Sequence, residues 1–174
     1  MPRVALLSEE AGAQFRRSVG PEAGRALAHR PAMAEVIGRF NAVVARSELP
    51  PRLHELVRYR IAQLNGCQRC QTYRMPGAPV SEEDLALVEG WASNDAFEPL
   101  ERLALDFAER FSADASSVDD ALCDGLKARL GDDGLVDLAV CVSKYVGTGR
   151  LITVLDLDQA CTLPWTSDEA QPVS

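Results

Sequence analysis

The sequence predicts an all-α protein built as a single domain, and three observations carry that reading. Apolar residues recur at three-and-four spacing through most of the chain. The periodic segments are divided by Pro, Gly, Asn or capping residues, with no convincing strand between them. The 174 residues are 47% apolar and 25% charged, the mix of a globular chain that fills one core.

The elements follow in order. "SEEAGAQFRR" and "EAGRALAHR" make short N-terminal helices. Segment 31–47 opens on Pro31, tolerated in a first turn, and spaces Met33, Val36, Ile37, Phe40, Val43 and Val44 by threes and fours. Leu49-Pro50-Pro51 breaks it. Segment 52–64 puts Leu53, Leu56, Val57, Ile61 and Leu64 on one stripe, and Asn65-Gly66 supplies a left-handed stop. A short helix restarts at Cys67 and runs to about residue 75, ended by Pro76-Gly77. Ser81-Glu82-Glu83-Asp84 is a capping-box variant that opens a helix to about Trp91. Pro99 starts the next, with Leu100, Leu103, Ala104, Phe107, Ala108 and Phe111 facing inward. A further helix begins at Ser117-Val118-Asp119-Asp120 and ends near Gly131, and the last runs from about 133 to 157. The tail beyond it has no periodicity and is expected to be loose or docked on a neighbour, where Leu163-Pro164-Trp165 would serve.

Charge narrows the function. The net charge of −8 repels nucleic acid and anionic membranes, so neither is expected as a partner. No apolar run approaches the ~18 residues of a membrane span. The opening "MPRVALLSEE" lacks the long apolar stretch of a secretory signal, and a cytosolic location is expected.

The odd count of five cysteines argues against a disulfide framework of the secreted kind. Cys123, Cys141 and Cys161 stand alone, and the first two read as small buried hydrophobes. Cys67 and Cys70 differ, because "NGCQRCQTYR" sets them three apart at a helix start. Free N–H groups and partial positive charge there stabilise a thiolate, Arg69 and Arg74 add to the field, and a second thiol can capture the product as a disulfide. By helix field alone, Cys67 would be the more acidic. Zinc needs four ligands, and the two histidines, His29 and His54, lie outside this segment.

If the chain folds back at Gly66, Cys67, Cys70 and Arg74 share one helix face by their i, i+3, i+7 spacing. At ~1.5 Å per residue, Arg74 lies about 10 Å from Cys67, level with Arg58 on the preceding helix and one turn short of Glu55. Glu55, Tyr59 and Ala62 lie opposite the apolar stripe of segment 52–64. That face is either solvated or a second buried face approaching the dithiol, and both readings stand at this point. "VGTGRL", 146–151, lacks the strand and lysine of a phosphate loop and reads as close helix packing.

The stretch "RLHELVRYRIAQLNGCQRCQTYR" resembles the alkylhydroperoxidase D (AhpD) and carboxymuconolactone decarboxylase family, whose redox members carry E-x11-C-x2-C-x3-H. Glu55, Cys67 and Cys70 fall at those intervals, and the similarity extends over "LAHRPAMAEVIGRFNAVVARSELPPRLHELV", "FEPLERLALDFAERFS" and "GRLITVLD". It divides the chain into an N-terminal extension (1–24), an AhpD-like helical domain (25–158) and a tail (159–174). The resemblance implies a helical bundle that assembles as a homo-oligomer, a trimer or hexamer. It implies peroxidase or disulfide-reductase chemistry, with Cys70 attacking, Cys67 resolving and Glu55 as base or orienter. It implies no cofactor or metal beyond an external thiol reductant, and a small peroxide or disulfide as substrate. It also implies that Arg150 makes a structural ion pair. Arg74 departs from the pattern by occupying the histidine position. Arginine holds its proton at working pH, so Arg74 cannot relay it, but can stabilise a thiolate or pair with Glu55. A decarboxylase-like enzyme acting on a small carboxylate and a non-catalytic redox module remain the alternatives.

Overall fold

The structure is a computed structural model that describes residues 1–157, apart from the side chains of 17 and 18. Cys161 and Leu163-Pro164-Trp165 lie outside the described residues. Nine α-helices follow one another there, with no strand among the described residues: α1 (Glu9–Ala13), α2 (Arg16–Val19), α3 (Pro21–Leu27), α4 (Pro31–Val44), α5 (Pro51–Leu64), α6 (Gln68–Thr72), α7 (Glu82–Leu87), α8 (Pro99–Ala113) and α9 (Asp120–Leu155). Short 3-10 helices span Val88–Ser93 and Ala115–Ser117.

Local signals set most of these boundaries. Pro51 and Pro99 occupy first turns, where a missing N–H costs nothing. Ser81 and Asp84 cap α7 reciprocally, as expected. Gly66 takes φ +62° behind α5 and Gly131 takes φ +74° inside α9, conformations that cost side-chain-bearing residues. The Gly131 break divides α9 where the sequence placed two helices. It also interrupts the one helix among the described residues that is long and apolar enough to cross a membrane, and Leu126, Leu138, Cys141 and Val142 of that helix lie in the core.

Helix α5 is the central element, buried on two sides. Leu53, Val57 and Ile61 pack against Ala104, Phe107 and Ala108 of α8 and Leu126, Leu138 and Val142 of α9. Leu56 points the other way, into Leu85, Val88, Phe97 and Leu105. Each such fully buried aliphatic side chain is worth about 1.5–3 kcal/mol, which makes α5 a rigid platform for the residues it carries. Ser47 and the Glu48 amide both donate to Asp137, tying the α4–α5 connection to α9. Helix α3 docks through Ala23 and Ala26 onto Leu157.

Helix α4 departs from this pattern. Only Ala34 and Val44 are buried on it, while Met33, Val36 and Val43 are 56%, 65% and 62% exposed. Much of its apolar spacing faces out of the fold. Val136, Val140 and Val154 of α9 are exposed as well.

Candidate active site at the Cys67–Cys70 turn

The chain folds back at Gly66, and the Cys67 amide donates to the Ala62 carbonyl at 3.1 Å. Cys67 caps α6: its Sγ accepts the Cys70 amide at 3.2 Å. The two cysteines are joined as a disulfide with Cα atoms 5.2 Å apart. Cys67 is fully buried, whereas Cys70 is half-buried and reachable.

The face of α5 that the sequence left open is buried. Glu55 is 1% exposed and Arg58 4%, a charged pair inside the fold. Arg58 grips Glu55 with both ends of its fork, Nε to Oε2 at 2.6 Å and Nη2 to Oε1 at 2.7 Å. It also donates to the carbonyls of Cys70 at 2.6 Å and Tyr73 at 2.9 Å. These bonds bind the end of α6 to α5 and satisfy a buried cation that would otherwise be costly. Arg58 is the residue that motif reasoning passed over, since it lies among the eleven positions that the motif leaves unspecified between Glu55 and Cys67.

The expected helical face of Cys67, Cys70 and Arg74 does not form. Helix α6 stops at Thr72 and Tyr73 is extended with ψ 144°, because its carbonyl turns to Arg58. Arg74 therefore leaves the helix. It pairs with Glu82 through two bonds of 2.8 Å and lies 5.3 Å from the centre of the Tyr59 ring, so it is Glu82 and not Glu55 that partners it. Arg69 also turns away, its guanidinium packed on Gly20 at the α2–α3 junction. With five residues in α6, the positive field at Cys67 is smaller than the longer expected helix would give.

Helix α9 closes the site from the other side. Asn65 donates to the Tyr145 carbonyl at 3.1 Å, and the Tyr145 hydroxyl lies 2.8 Å from Nε2 of the buried His54. Burial lowers the His54 pKa to about 4, so the ring is neutral near pH 7, and burial also pushes Tyr145 up. Lys144 lies with its amine 4.3 Å from the centre of the Tyr145 ring; desolvation first, then the charge of Arg58, lowers it to about 8. Cys141 is buried as expected, with burial raising its thiol to about 11, while Cys123 is only half-buried. Arg150 meets the Ser112 carbonyl at the end of α8 instead of the expected acid partner. Among the described residues, no three or more His, Cys, Asp and Glu side chains are grouped to hold a metal ion.

The chain is 31% identical over 124 residues to the protein YnjA of Escherichia coli (strain K12), covering 68% of each, and residues 31–110 match the carboxymuconolactone decarboxylase family. The chain belongs to the carboxymuconolactone decarboxylase family. Two solved structures have its fold. An alkylhydroperoxidase AhpD core, a peroxidase-related protein from Ralstonia eutropha JMP134, superposes with a TM-score of 0.74 at 16% identity, covering 97% of this chain and 94% of that one. The debrominase Bmp8 superposes with a TM-score of 0.76, also at 16% identity, covering 97% and 98%. The family match contains Glu55, Arg58, Cys67 and Cys70, and the family is compatible with a thiol redox role for the cysteine pair.

Proposed function

We propose that the protein is a cytosolic thiol-dependent oxidoreductase that cycles Cys67 and Cys70 between dithiol and disulfide to reduce small hydroperoxides or disulfides. The observation that carries this reading is the arrangement of the pair: a reachable Cys70, a buried Cys67 bonded to it, and a buried charged pair fastened to the Cys70 carbonyl. Cys70 attacks as thiolate and Cys67 resolves. With a hydroperoxide, an S–O bond forms at Cys70, the O–O bond breaks and the alkoxide leaves as the alcohol after taking a proton. Cys67 then attacks the sulfenic sulfur, the S–S bond forms and hydroxide leaves as water with the second proton. The dithiol has then given two electrons and two protons to the peroxide. An external dithiol restores it by two thiol–disulfide exchanges and is itself oxidised to the disulfide.

Glu55 underlies the site as base or orienter, and Arg74 adds a more distant charge, partly neutralised by Glu82. The working form is a homo-oligomer, a trimer or hexamer, that covers the exposed apolar side of α4. The test is steady turnover of tert-butyl hydroperoxide by purified protein with a small dithiol, followed by mass and alkylation. Expected are turnover, a loss of two hydrogens per chain on oxidation and protection of Cys67 and Cys70 together. Protein in which both thiols stay alkylatable after peroxide and after oxidised dithiol refutes the reading.

A further inference from the structure

We infer that Arg58 is the fixed cation that positions and ionises the Cys70 thiol, and that Glu55 serves as its counter-ion and holder, not as a proton-accepting base. This deepens the redox reading above and rests on it for the identity of the reactive pair.

Arg58 is buried, so its charge is poorly screened, and it is anchored on the carbonyl of the same residue whose sulfur reacts. Both Glu55 oxygens are held by the Arg58 fork, which fixes the buried carboxylate as the partner of the guanidinium. The other charges near the turn are weaker candidates. Arg69 packs on Gly20, Arg74 is far more exposed than Arg58 and is drawn to Glu82, and the Lys144 amine sits over the Tyr145 ring with its charge disfavoured by burial. Tyr73 and Tyr145 are both held in the neutral form by burial. Arginine keeps its charge at every working pH, so the thiolate would form through a standing field without a proton relay. That accounts for a dithiol site in which the position expected for histidine carries a residue turned elsewhere. It also favours Cys70 over Cys67, in spite of the helix start.

The test is the pH dependence of iodoacetamide alkylation at Cys70 in the reduced full-length protein, read by peptide mass spectrometry. Arg58→Met should raise the thiol pKa by about one unit or more, which is about a tenfold loss of thiolate at pH values below both pKa values. Arg58→Lys should recover part of the shift, because it keeps the charge but loses the fork. Glu55→Gln should leave the pKa unchanged or lower it, since it removes a negative charge. The double variant Glu55→Gln/Arg58→Met removes the pair without stranding a buried charge and should still show the raised pKa, which covers failure of the single variant to fold. An unchanged Cys70 pKa in the double variant, or slower alkylation in Glu55→Gln, overturns the inference. Because alkylation is read on reduced protein whether or not it turns over peroxide, loss of turnover alone counts against the redox reading and leaves this measurement intact.

Discussion

His54 sets a pH limit on the fold, and the size of the effect follows from its burial. The ring is 2% exposed, against the Tyr145 hydroxyl, and desolvation lowers its pKa to about 4 from the usual 6.5. The charge of Asp137 opposes the shift and those of Lys144 and Arg58 support it. Since the folded pKa lies below the unfolded one, the unfolded chain binds the extra proton between these values. Stability is therefore fully present above pH 6.5 and is lost as pH falls toward 4. A shift of that size corresponds to about 2 kcal/mol lost between pH 7 and 5, and about 3 by pH 4. Urea unfolding of wild type and His54→Gln at pH 7, 6 and 5, at one protein concentration, measures it. The glutamine keeps a polar partner for Tyr145 but does not titrate, so its stability should fall about 2 kcal/mol less than that of wild type over this range. Parallel falls for the two proteins would refute the account. The same neutrality keeps His54 from serving as a relay that titrates near pH 7.

Three further outcomes follow. Arg74→Ala should move the Cys70 thiol pKa far less than Arg58→Met, because the Arg74 guanidinium is half-exposed and already bonded to Glu82; an equal or larger shift by the same alkylation assay would return Arg74 to the centre of the site. Cys70→Ser should abolish peroxide turnover, whereas Cys67→Ser should accumulate an oxidised Cys70 or a mixed disulfide with the reductant, both visible by mass; the reverse pattern would exchange the two roles. Val36→Glu with Val43→Glu should reduce the oligomer to about 19 kDa protomers by light scattering while leaving the helical circular dichroism unchanged, and wild type of that mass at every concentration would refute assembly through α4.

Much of the fold was legible because single residues impose it locally. Pro51 and Pro99 start helices, Ser81 and Asp84 cap one, and Gly66 and Gly131 take positive φ; none of these needs a distant partner to act. What the spacing left open was which neighbour each face would meet. The apolar spacing of α4 is as regular as that of α5, yet one faces outward and the other is enclosed by α8 and α9. The length of α6 was hidden for a related reason. Nothing in "QTYR" ends a helix, and the stop at Thr72 comes from the Tyr73 carbonyl turning to Arg58, fifteen residues earlier in the chain.

The same limit explains why the site's cation was missed. A Glu and an Arg three apart on a helix read as a solvated pair worth a few tenths of a kcal/mol, and Glu55 and Arg58 carry no local mark to the contrary. The available signal was indirect. Apolar residues at 53, 56, 57 and 61 leave little of α5 for solvent once Ala62 permits a second segment to close on the opposite face. The Cys67–Cys70 turn is that segment, and burial changes the chemistry of the pair. On a surface, water would screen the pair. Inside the fold, Glu55 holds the guanidinium in place, and the remaining donors of Arg58 go to the carbonyls of Cys70 and Tyr73. In the proposed redox role the dithiol motif names the atoms that would react, but the charge that would set their reactivity comes from a residue whose place beside them appears only when α5 and α6 are brought together.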